Sequence, residues 1–438
     1  MKRSLRVRID FFCCLSIGLI CCLLLPRAAG AQSYSSRQYP NAVIVLARHG
    51  VRAPLEGEMS SGTYNAEPWP TWPVPPGVLT PHGTEALRLL GDYYRRRYVS
   101  LLDNPDCNHP HIYAEANTTQ RTIASAKAML GGLVPGCKVE VHVRAKEPNP
   151  LFTPAEGPMV NQQELTDVTK GRMAGQPAWF SNAFARPLDL MHRVLVDCAD
   201  SACVTKTPDF RTTTIKDGAT VPRDPGVENP VVLGAAFAEN ILLEYTEGLP
   251  MAQVGWGRVS RKQLNDLMEM NTRYHDFMQR TPYAEQVAAS DLASHIRDTV
   301  ISAATGAALP GRLGSAEDHF ILLNGHDGNL AWLGGLLRMD WLLPDQTFNA
   351  TPPGSALVFE VYRGRAGAAG TVRVFFISQT LDQMRSLRPL TGAEEPAVSP
   401  VFVPGCSGHA PEYACSVDDF AHVVSAAIDN RLVKEPAY

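Results

Sequence analysis

Two arginines and a histidine, Arg48, His49 and Arg52, directly follow the apolar run Val43 to Ala47. Forked guanidinium groups bind the oxygens of a phosphate dianion, and backbone N–H groups at a helix start add to such a pocket. An imidazole is not needed merely to hold an anion. A neutral His49 nitrogen in line with phosphorus could attack it and form a phosphohistidine that water later hydrolyses. The residue types and their spacing therefore predict covalent phosphoryl chemistry at this point of the chain.

Two later segments carry the other groups that this chemistry needs. Arg121 follows the run "IYAEA" and a polar turn, and Asp327 lies in "NGHDGN" after the apolar run "FILL". Ligands of open α/β sheets bind beyond the carboxyl ends of the strands, so we expect these side chains to meet there. Asp327 would protonate the leaving alcohol and then act as base for the attacking water. The arginines would stabilise the transferring oxygens as magnesium does in kinases, so neither a metal nor another cofactor is required.

Each residue taken alone also has a simpler structural interpretation. Asp327 could be the N-cap of the following helix, His49 a structural histidine and Arg121 a surface residue. A helix N-terminus lowers the pKa of a carboxyl, so proton donation by Asp327 predicts an acidic pH optimum. The pattern Arg-His-Gly-x-Arg-x-Pro fixes five positions, and its chance occurrence in a chain of this length is on the order of one in ten thousand. This motif therefore favours the catalytic interpretation.

A sheet must position these groups, because each of them follows a strand-like run. Val43 to Ala47 is short, continuous and apolar, which is typical of a strand buried on both faces. The runs "HFILLNG", "SALVFEVYRG" and "TVRVFFISQ" predict further strands later in the chain. The pattern from about residue 154 to residue 283 is helical instead. We therefore predict an α/β domain over 32–153 and 284–438, with a mostly helical insertion domain over 154–283.

Residues 1–31 combine a basic start, an apolar run and the small residues Ala29 to Ala31, which is typical of a secretory signal peptide. The alternative is an uncleaved membrane anchor, but the apolar run is shorter than the ~20 residues of a spanning helix. Removal of this segment lowers the net charge from −4 to −8, because five basic residues and one acidic residue leave with it. An acidic chain argues against a nucleic-acid partner. We predict a periplasmic or secreted protein without a stable membrane anchor.

Six cysteines remain after residue 31, which suits an exported protein with three disulfides. Six cysteines allow 15 pairings, and proximity in sequence suggests Cys107 with Cys137, Cys198 with Cys203, and Cys406 with Cys415. A zinc site is the alternative. The sequence has no paired Cys-x-x-Cys and no His-x-x-x-His to supply its ligands, so we predict no metal.

The motif "ARHGVRAP" with the later "GHDGN" resembles the histidine acid phosphatases, the exported branch of the histidine phosphatase superfamily, and especially its bacterial phytase and glucose-1-phosphatase subgroup. The resemblance covers most of the chain after residue 31 and includes "WPTWPVPPGVLTPHG", "EGLPMAQVGWGRV" and "SQTLDQMRSLRPL". It implies that His49 is the nucleophile and Asp327 the proton donor. The residues that it implies for phosphate binding are Arg48, Arg52, Arg121 and His326. It also implies a central mixed, mostly parallel sheet flanked by helices, with a smaller helical domain beside the pocket.

Four further positions bear on the substrate. Phytases of this subgroup often carry Thr-Lys after the motif, where this chain has Leu55 and Glu56. A carboxylate facing a highly anionic inositol phosphate opposes binding by about 1 kcal/mol if it is exposed. Glu239 and Arg280 match positions that line the pocket entrance in the resembling family, although both could instead be surface salt-bridge partners.

The predicted function is that of an exported acid phosphomonoesterase that works through a phosphohistidine, of the phytase type with inositol phosphates as substrates. A sugar phosphatase like glucose-1-phosphatase is the alternative. A non-catalytic phosphate-ligand binding protein is a third possibility, against which the presence of both His49 and Asp327 argues. A mutase of the same superfamily is disfavoured by the export signal. The only partner that we predict is a small-molecule phosphate monoester, bound by a monomer.

Overall fold

A mixed seven-stranded sheet forms the centre of this computed structural model, which describes residues 39–56, 64–102, 106–144, 149–172, 181–197, 207–212, 230–364, 369–408 and 411–434. The strand order is β2-β3-β1-β4-β5-β6, and β7 pairs with β5. The strands are β1 (Ala42–Arg48), β2 (Ile112–Ala116), β3 (Phe320–Gly325), β4 (Ala356–Tyr362), β5 (Thr371–Ser378), β6 (Ala397–Pro400) and β7 (Cys415–Ser416).

The pairing of the strands corrects one sequence-based expectation. Strand β3 runs parallel to both β1 and β2, but β1–β4, β4–β5, β5–β6 and β5–β7 are antiparallel. The sheet is therefore mixed, as expected, but it is not mostly parallel. For β4 and β5 the reason is the connection between them, which is only eight residues long. A parallel pair needs a crossover of a dozen or more residues, so β4 and β5 can pair only as an antiparallel hairpin.

Strand β1 lies between two hydrophobic cores, which explains why its sequence is apolar throughout. Val43 and Val45 face one core, whereas Ile44 and Leu46 face the other. This alternation follows from the two-residue period of a strand, and both faces are apolar because helices cover both sides. In the parallel pairing Arg48 lies opposite Gly325. The carboxyl ends of β1, β2 and β3 therefore reach the same edge of the sheet.

Helices cover both faces of the sheet, and further helices form a third core. The helices are α1 (Pro81–Arg97), α2 (Val99–Leu102), α3 (Gln120–Leu133), α4 (Gln162–Arg172), α5 (Ala185–Val196), α6 (Pro230–Thr246), α7 (Arg261–Met278), α8 (Ala284–Thr305), α9 (Asp327–Leu336), α10 (Leu381–Ser386) and α11 (Val417–Ala427). Helices α5, α6 and α7 enclose the third core, which also takes in Val51, Leu381 and Met384 from outside the segment 154–283. The division into domains at 153/154 and 283/284 stays a prediction.

Two of the three expected disulfides join described residues, namely Cys107–Cys137 and Cys406–Cys415. The third expected pair, Cys198 with Cys203, lies outside the described residues, as does the predicted signal peptide over residues 1–31. None of the helices that the structure describes is long and apolar enough to cross a membrane.

The close contact between α1 and α3 gives a prediction about stability. A Cβ atom added at Gly132 would overlap the carbonyl oxygen of Arg88, whereas one added at Gly131 would meet nothing within 4 Å. We expect Gly132→Ala to lower the free energy of unfolding by about 1–3 kcal/mol through overpacking. Gly131→Ala is the matched control and should raise it by up to about 1 kcal/mol, because alanine is the better helix former. Urea unfolding measures both variants, and equal midpoints would contradict this account of the packing.

Candidate active site

The backbone of His49 is held by three neighbouring elements at the carboxyl edge of the sheet. Its N–H donates to the carbonyl of Gly325 at the end of β3 (3.0 Å), and its own carbonyl accepts from the N–H of Gly354 (2.9 Å). The next N–H, that of Gly50, donates to the Ser125 hydroxyl on α3 (3.0 Å). Because strand, loop and helix all contribute, the imidazole has little freedom to move away from the strand ends.

The hydrogen bond of the His49 ring determines which nitrogen can react. Nδ1 lies 2.9 Å from the carbonyl oxygen of Gly50, and because this oxygen can only accept, Nδ1 carries the hydrogen. Nε2 of the neutral ring then keeps its lone pair. Burial holds the pKa of His49 well below its usual range, and the charges of Arg121 and Arg48 lower it further. His49 is therefore a neutral imidazole with an unprotonated Nε2.

The three arginines predicted from sequence are brought together around His49. Arg48 is 1% exposed and donates to the carbonyl of Thr351 (2.6 Å). Arg52 is also buried and donates to the carbonyl of Ala53 (3.1 Å). The charges of both arginines, like that of Arg121, lower the pKa of His49. Three guanidinium groups therefore act on one neutral imidazole, which suits an anionic substrate.

His326 lies beside His49, with the two ring centroids 5.5 Å apart and the rings nearly perpendicular. Its Nε2 is 3.0 Å from Nδ2 of Asn117, and its Nδ1 is 3.5 Å from a guanidinium nitrogen of Arg121. Burial lowers the pKa of His326 to about 3, and Arg121 contributes to the shift. His326 is thus a neutral group next to His49, and Asn117 is a neighbouring residue that the sequence analysis did not single out.

Asp327 is the first residue of α9, and His326 rather than Asp327 occupies the N-cap position. The Oδ1 atom of Asp327 accepts from the N–H of Gly328 (2.7 Å), and Oδ2 lies 3.0 Å from a guanidinium nitrogen of Arg48. Burial by itself would raise the pKa of Asp327, but Arg48, His275 and His49 outweigh it and hold the pKa well below its usual range. Without substrate, Asp327 is therefore a carboxylate paired with Arg48.

Glu239 is buried and lies inside the cluster of charges. It forms an ion pair with Arg48, and its second oxygen lies 3.4 Å from Nδ2 of Asn271 on α7. Arg48 thus bridges two carboxylates, Glu239 from α6 and Asp327 from α9. Glu239 is neither a surface salt-bridge partner nor an exposed entrance residue. Through this ion pair, Glu239 is placed to hold the Arg48 guanidinium in a fixed orientation.

Arg280 is not brought to the site. Its guanidinium donates to the carbonyl of Met339 (2.8 Å) and to Asp340 (2.6 Å), and it lies over the ring of Trp341. A Cβ atom added at Gly334 would lie 2.6 Å from this guanidinium. Gly334 is seven residues along α9 from Asp327, which is about 10 Å at the helical rise per residue. Arg280 therefore belongs to the packing of α9 away from the end that carries Asp327.

Leu55 and Glu56 stand at the surface directly after Pro54, the last residue of the motif. Leu55 is 36% exposed, and Glu56 is exposed as well. A Cβ atom added at Gly77 would lie 3.0 Å from Leu55 and 3.7 Å from the Arg121 guanidinium. The apolar Leu55 side chain therefore comes close to one of the phosphate-binding candidates.

His275 on α7 is a second residue that sequence reasoning missed. It is buried, and its Nε2 lies 3.9 Å from Oδ2 of Asp327. No local motif marks it, because it stands 52 residues before Asp327 inside an ordinary amphipathic helix pattern. It lies in the segment "RYHDFMQRTP", whose last four residues are also similar to the histidine acid phosphatases, and that similarity is the only signal that could have drawn attention to it.

Comparisons with known proteins agree with this geometry. The family profile of the histidine phosphatase superfamily (branch 2) matches residues 41–180. The phytase AppA of Escherichia coli (strain K12) is 31% identical over 422 residues, which cover 92% of this chain and 95% of that protein. The glucose-1-phosphatase of Salmonella typhimurium is 27% identical over 447 residues, which cover 98% of this chain and 100% of that protein.

A solved structure shares the whole architecture. The phytase of Hafnia alvei in complex with myo-inositol hexakis sulphate superimposes with a TM-score of 0.79 at 29% identity, and the match covers 90% of this chain and 98% of that one. Similarity along nearly the full length, in both sequence and fold, agrees with the convergence of His49, the arginines and Asp327 at one edge of the sheet. The chain therefore belongs to branch 2 of the histidine phosphatase superfamily and is a phosphatase of the histidine acid phosphatase type.

Proposed function

We propose that this phosphatase is an exported phytase-type phosphomonoesterase that transfers the phosphoryl group to Nε2 of His49. The observation that carries the proposal is the state of that imidazole. Its Nδ1 is engaged by the carbonyl of Gly50, and the charges of Arg48, Arg52 and Arg121 help to keep it neutral. A nucleophile in this state can attack phosphorus without first losing a proton.

The reaction proceeds in two steps, phosphoryl transfer to His49 and hydrolysis of the phosphohistidine. In the first, the Nε2 lone pair forms a bond to phosphorus as the bond to the ester oxygen breaks, and Asp327 gives that oxygen a proton. In the second, Asp327 accepts a proton from water, whose oxygen attacks phosphorus as the P–N bond breaks. The phosphate oxygens are bound by Arg48, Arg52, Arg121 and His326 throughout.

The ion pair between Arg48 and Asp327 explains how a carboxylate becomes a proton donor. In the structure Arg48 helps to hold the pKa of Asp327 low. A bound phosphate dianion takes over this guanidinium and brings negative charge close to the carboxylate. Both changes raise the pKa of Asp327, since like charges disfavour ionisation. Substrate binding thus favours the protonated acid that the first step needs, most readily at acidic pH.

Phytate is the substrate that the relatives favour, because one similar protein is named as a phytase and one similar structure holds an inositol hexakis sulphate. A sugar phosphate is the second candidate. The exposed Leu55 and Glu56 support it, because neither offers positive charge to a polyanionic ring. Export to the periplasm or beyond, and action as a monomer, are parts of the proposal that rest on the sequence of residues 1–31 and on the family resemblance.

Phosphate release from phytate, glucose 1-phosphate and nitrophenyl phosphate tests the proposal, with the mature chain purified and assayed in excess chelator at acidic and neutral pH. We expect release to persist with chelator, because the guanidinium groups stabilise the transferring charge. We also expect phytate to be the preferred substrate at acidic pH. Loss of activity that added metal restores would refute the metal-independent mechanism. A preference for glucose 1-phosphate would identify the chain as a sugar phosphatase and point to Leu55 and Glu56 as the cause.

A further inference from the structure

His275 faces the proposed proton donor with a defined ring orientation. Its Nδ1 lies 2.6 Å from Oε1 of Gln279, the C-cap residue of α7, and an amide oxygen can only accept. Nδ1 therefore carries a hydrogen, and Nε2 is the nitrogen directed at Oδ2 of Asp327, 3.9 Å away. Gln279 in turn packs over the start of α9, since a Cβ atom added at Gly328 would lie 3.2 Å from its amide nitrogen.

We propose that His275 and Asp327 form a dyad that shares one proton and that His275 thereby supplies the acid of the first step. The inference rests on the proposed function and deepens it by adding a positioning residue that acts through Asp327. A movement of about 1 Å brings Nε2 and Oδ2 to hydrogen-bond distance. Bonds of this kind are often long in the absence of substrate and tighten when it binds.

The dyad supplies the proton that the leaving ester oxygen receives, and no further group is needed. Before the reaction the proton resides on Nε2 of His275, and Asp327 is a carboxylate. It passes from Nε2 to Oδ2 and from Oδ2 to the ester oxygen as the bond from that oxygen to phosphorus breaks. The imidazole ends neutral and the carboxylate ends as it began. The proton that Asp327 later takes from water restores the starting state through the reverse transfer.

The charged and titratable groups around the dyad come from several elements. Arg48 and His49 face Asp327 from the end of β1, and Glu239 on α6 reaches it through Arg48. His326, directly before Asp327 in the chain, is kept neutral by burial. Tyr274 packs edge-on against His275, and burial beside Asp327 raises its pKa to about 12, so it stays uncharged. Of these groups, His275 is the one whose imidazole Nε2 lies within 4 Å of Oδ2 of Asp327.

The pH dependence of the first turnover distinguishes proton sharing from simple packing. A proton that can reside on either of two groups is lost at a higher pH than a proton confined to the carboxylate. Replacement of His275 by glutamine keeps the shape and an N–H group but cannot store a proton. For an alkyl phosphate we expect His275→Gln to slow the first turnover about tenfold at pH 6 and to move the upper limb of its pH profile at least about one pH unit lower. With nitrophenyl phosphate, whose leaving group needs no proton, the rate should stay within about twofold.

A second histidine and carboxylate pair provides the matched control. His295 and Asp291 are both buried on α8, with Nε2 and Oδ1 3.7 Å apart, and neither belongs to the proposed site. His295→Gln removes a buried imidazole from a similar pair, so it controls for loss of stability. We expect its pH profile to superimpose on that of the wild type for both substrates. A superimposable profile for His275→Gln, or equal slowing of the two substrates, would overturn the dyad.

A measurement that needs no turnover separates this inference from the proposed function. In the substrate-free enzyme, labelled on its histidine rings, we expect the nuclear magnetic resonance signals of His275 to titrate at least about one pH unit lower after Asp327→Asn. An unchanged titration would refute the dyad. Failure of the wild-type enzyme to release phosphate from any of the esters would instead refute the proposed function, and the titration would still decide whether the two groups are coupled.

Discussion

Replacement of His49 by alanine is expected to lower kcat by at least about a thousandfold on every phosphate ester. The variant loses the nucleophile itself, while the three guanidinium groups around it remain to bind substrate. KM should therefore change much less than kcat. The measurement is steady-state phosphate release, together with detection of phosphohistidine by mass spectrometry after rapid mixing with substrate and an alkaline quench.

Detection of the phosphohistidine is the more specific of the two measurements. The wild type should carry one phosphoryl group on the peptide that contains His49, and His49→Ala should carry none. His319→Ala is a suitable control, because this histidine precedes β3 at the opposite end of the strand from the site. A residual rate above about a thousandth of the wild-type rate, or a phosphoryl group on another histidine, would count against attack by His49.

Replacement of Asp327 by asparagine should slow esters according to their leaving groups. An alkyl phosphate needs a proton on its leaving oxygen, so we expect its first turnover to fall about a hundredfold or more. Nitrophenolate leaves without a proton, so the first turnover of nitrophenyl phosphate should fall less than about tenfold. First turnovers are compared by rapid mixing, because steady-state rates include the second step, in which Asp327 acts as base.

Glu239→Gln is the matched control for this experiment. Asp327 and Glu239 both pair with Arg48, so either change removes one carboxylate from the same guanidinium. Glu239→Gln disturbs the phosphate pocket without removing the proton donor and should slow both esters alike. If Asp327→Asn also slows them equally, its effect is on Arg48, and Asp327 is not the acid.

Local sequence patterns were sufficient to predict the site residues that follow a strand in the chain. Strands β1 and β3 read as apolar runs because they are buried throughout, and the residue after such a strand must lie at the carboxyl edge of the sheet. Arg48, His49, Arg121 and Asp327 could thus be assigned to one edge without knowledge of the tertiary contacts. Their convergence in the structure follows from the parallel order of β1, β2 and β3.

The antiparallel half of the sheet was predicted less well. The strand-like runs later recognised as β4 and β5 were visible in the sequence, but their direction was not. Direction depends on which edges are available for pairing and on the length of the connection between strands. The alternation of strands and helices in the first part of the chain therefore gave no guide to the part after β3.

The sequence by itself was enough to select the proposed nucleophile, its arginines and the proposed proton donor, because a strand followed by a fixed motif places these groups through short-range geometry. Only the tertiary structure decided the roles of Glu239, His275 and Arg280. Glu239 and His275 lie on helices and Arg280 lies in the turn after α7, so the direction of each side chain depends on how helices pack rather than on neighbours in sequence. That packing directs Glu239 and His275 towards the charges around Asp327 and turns Arg280 to Asp340. The proposed proton chemistry of the site thus depends on contacts between segments that are far apart in sequence.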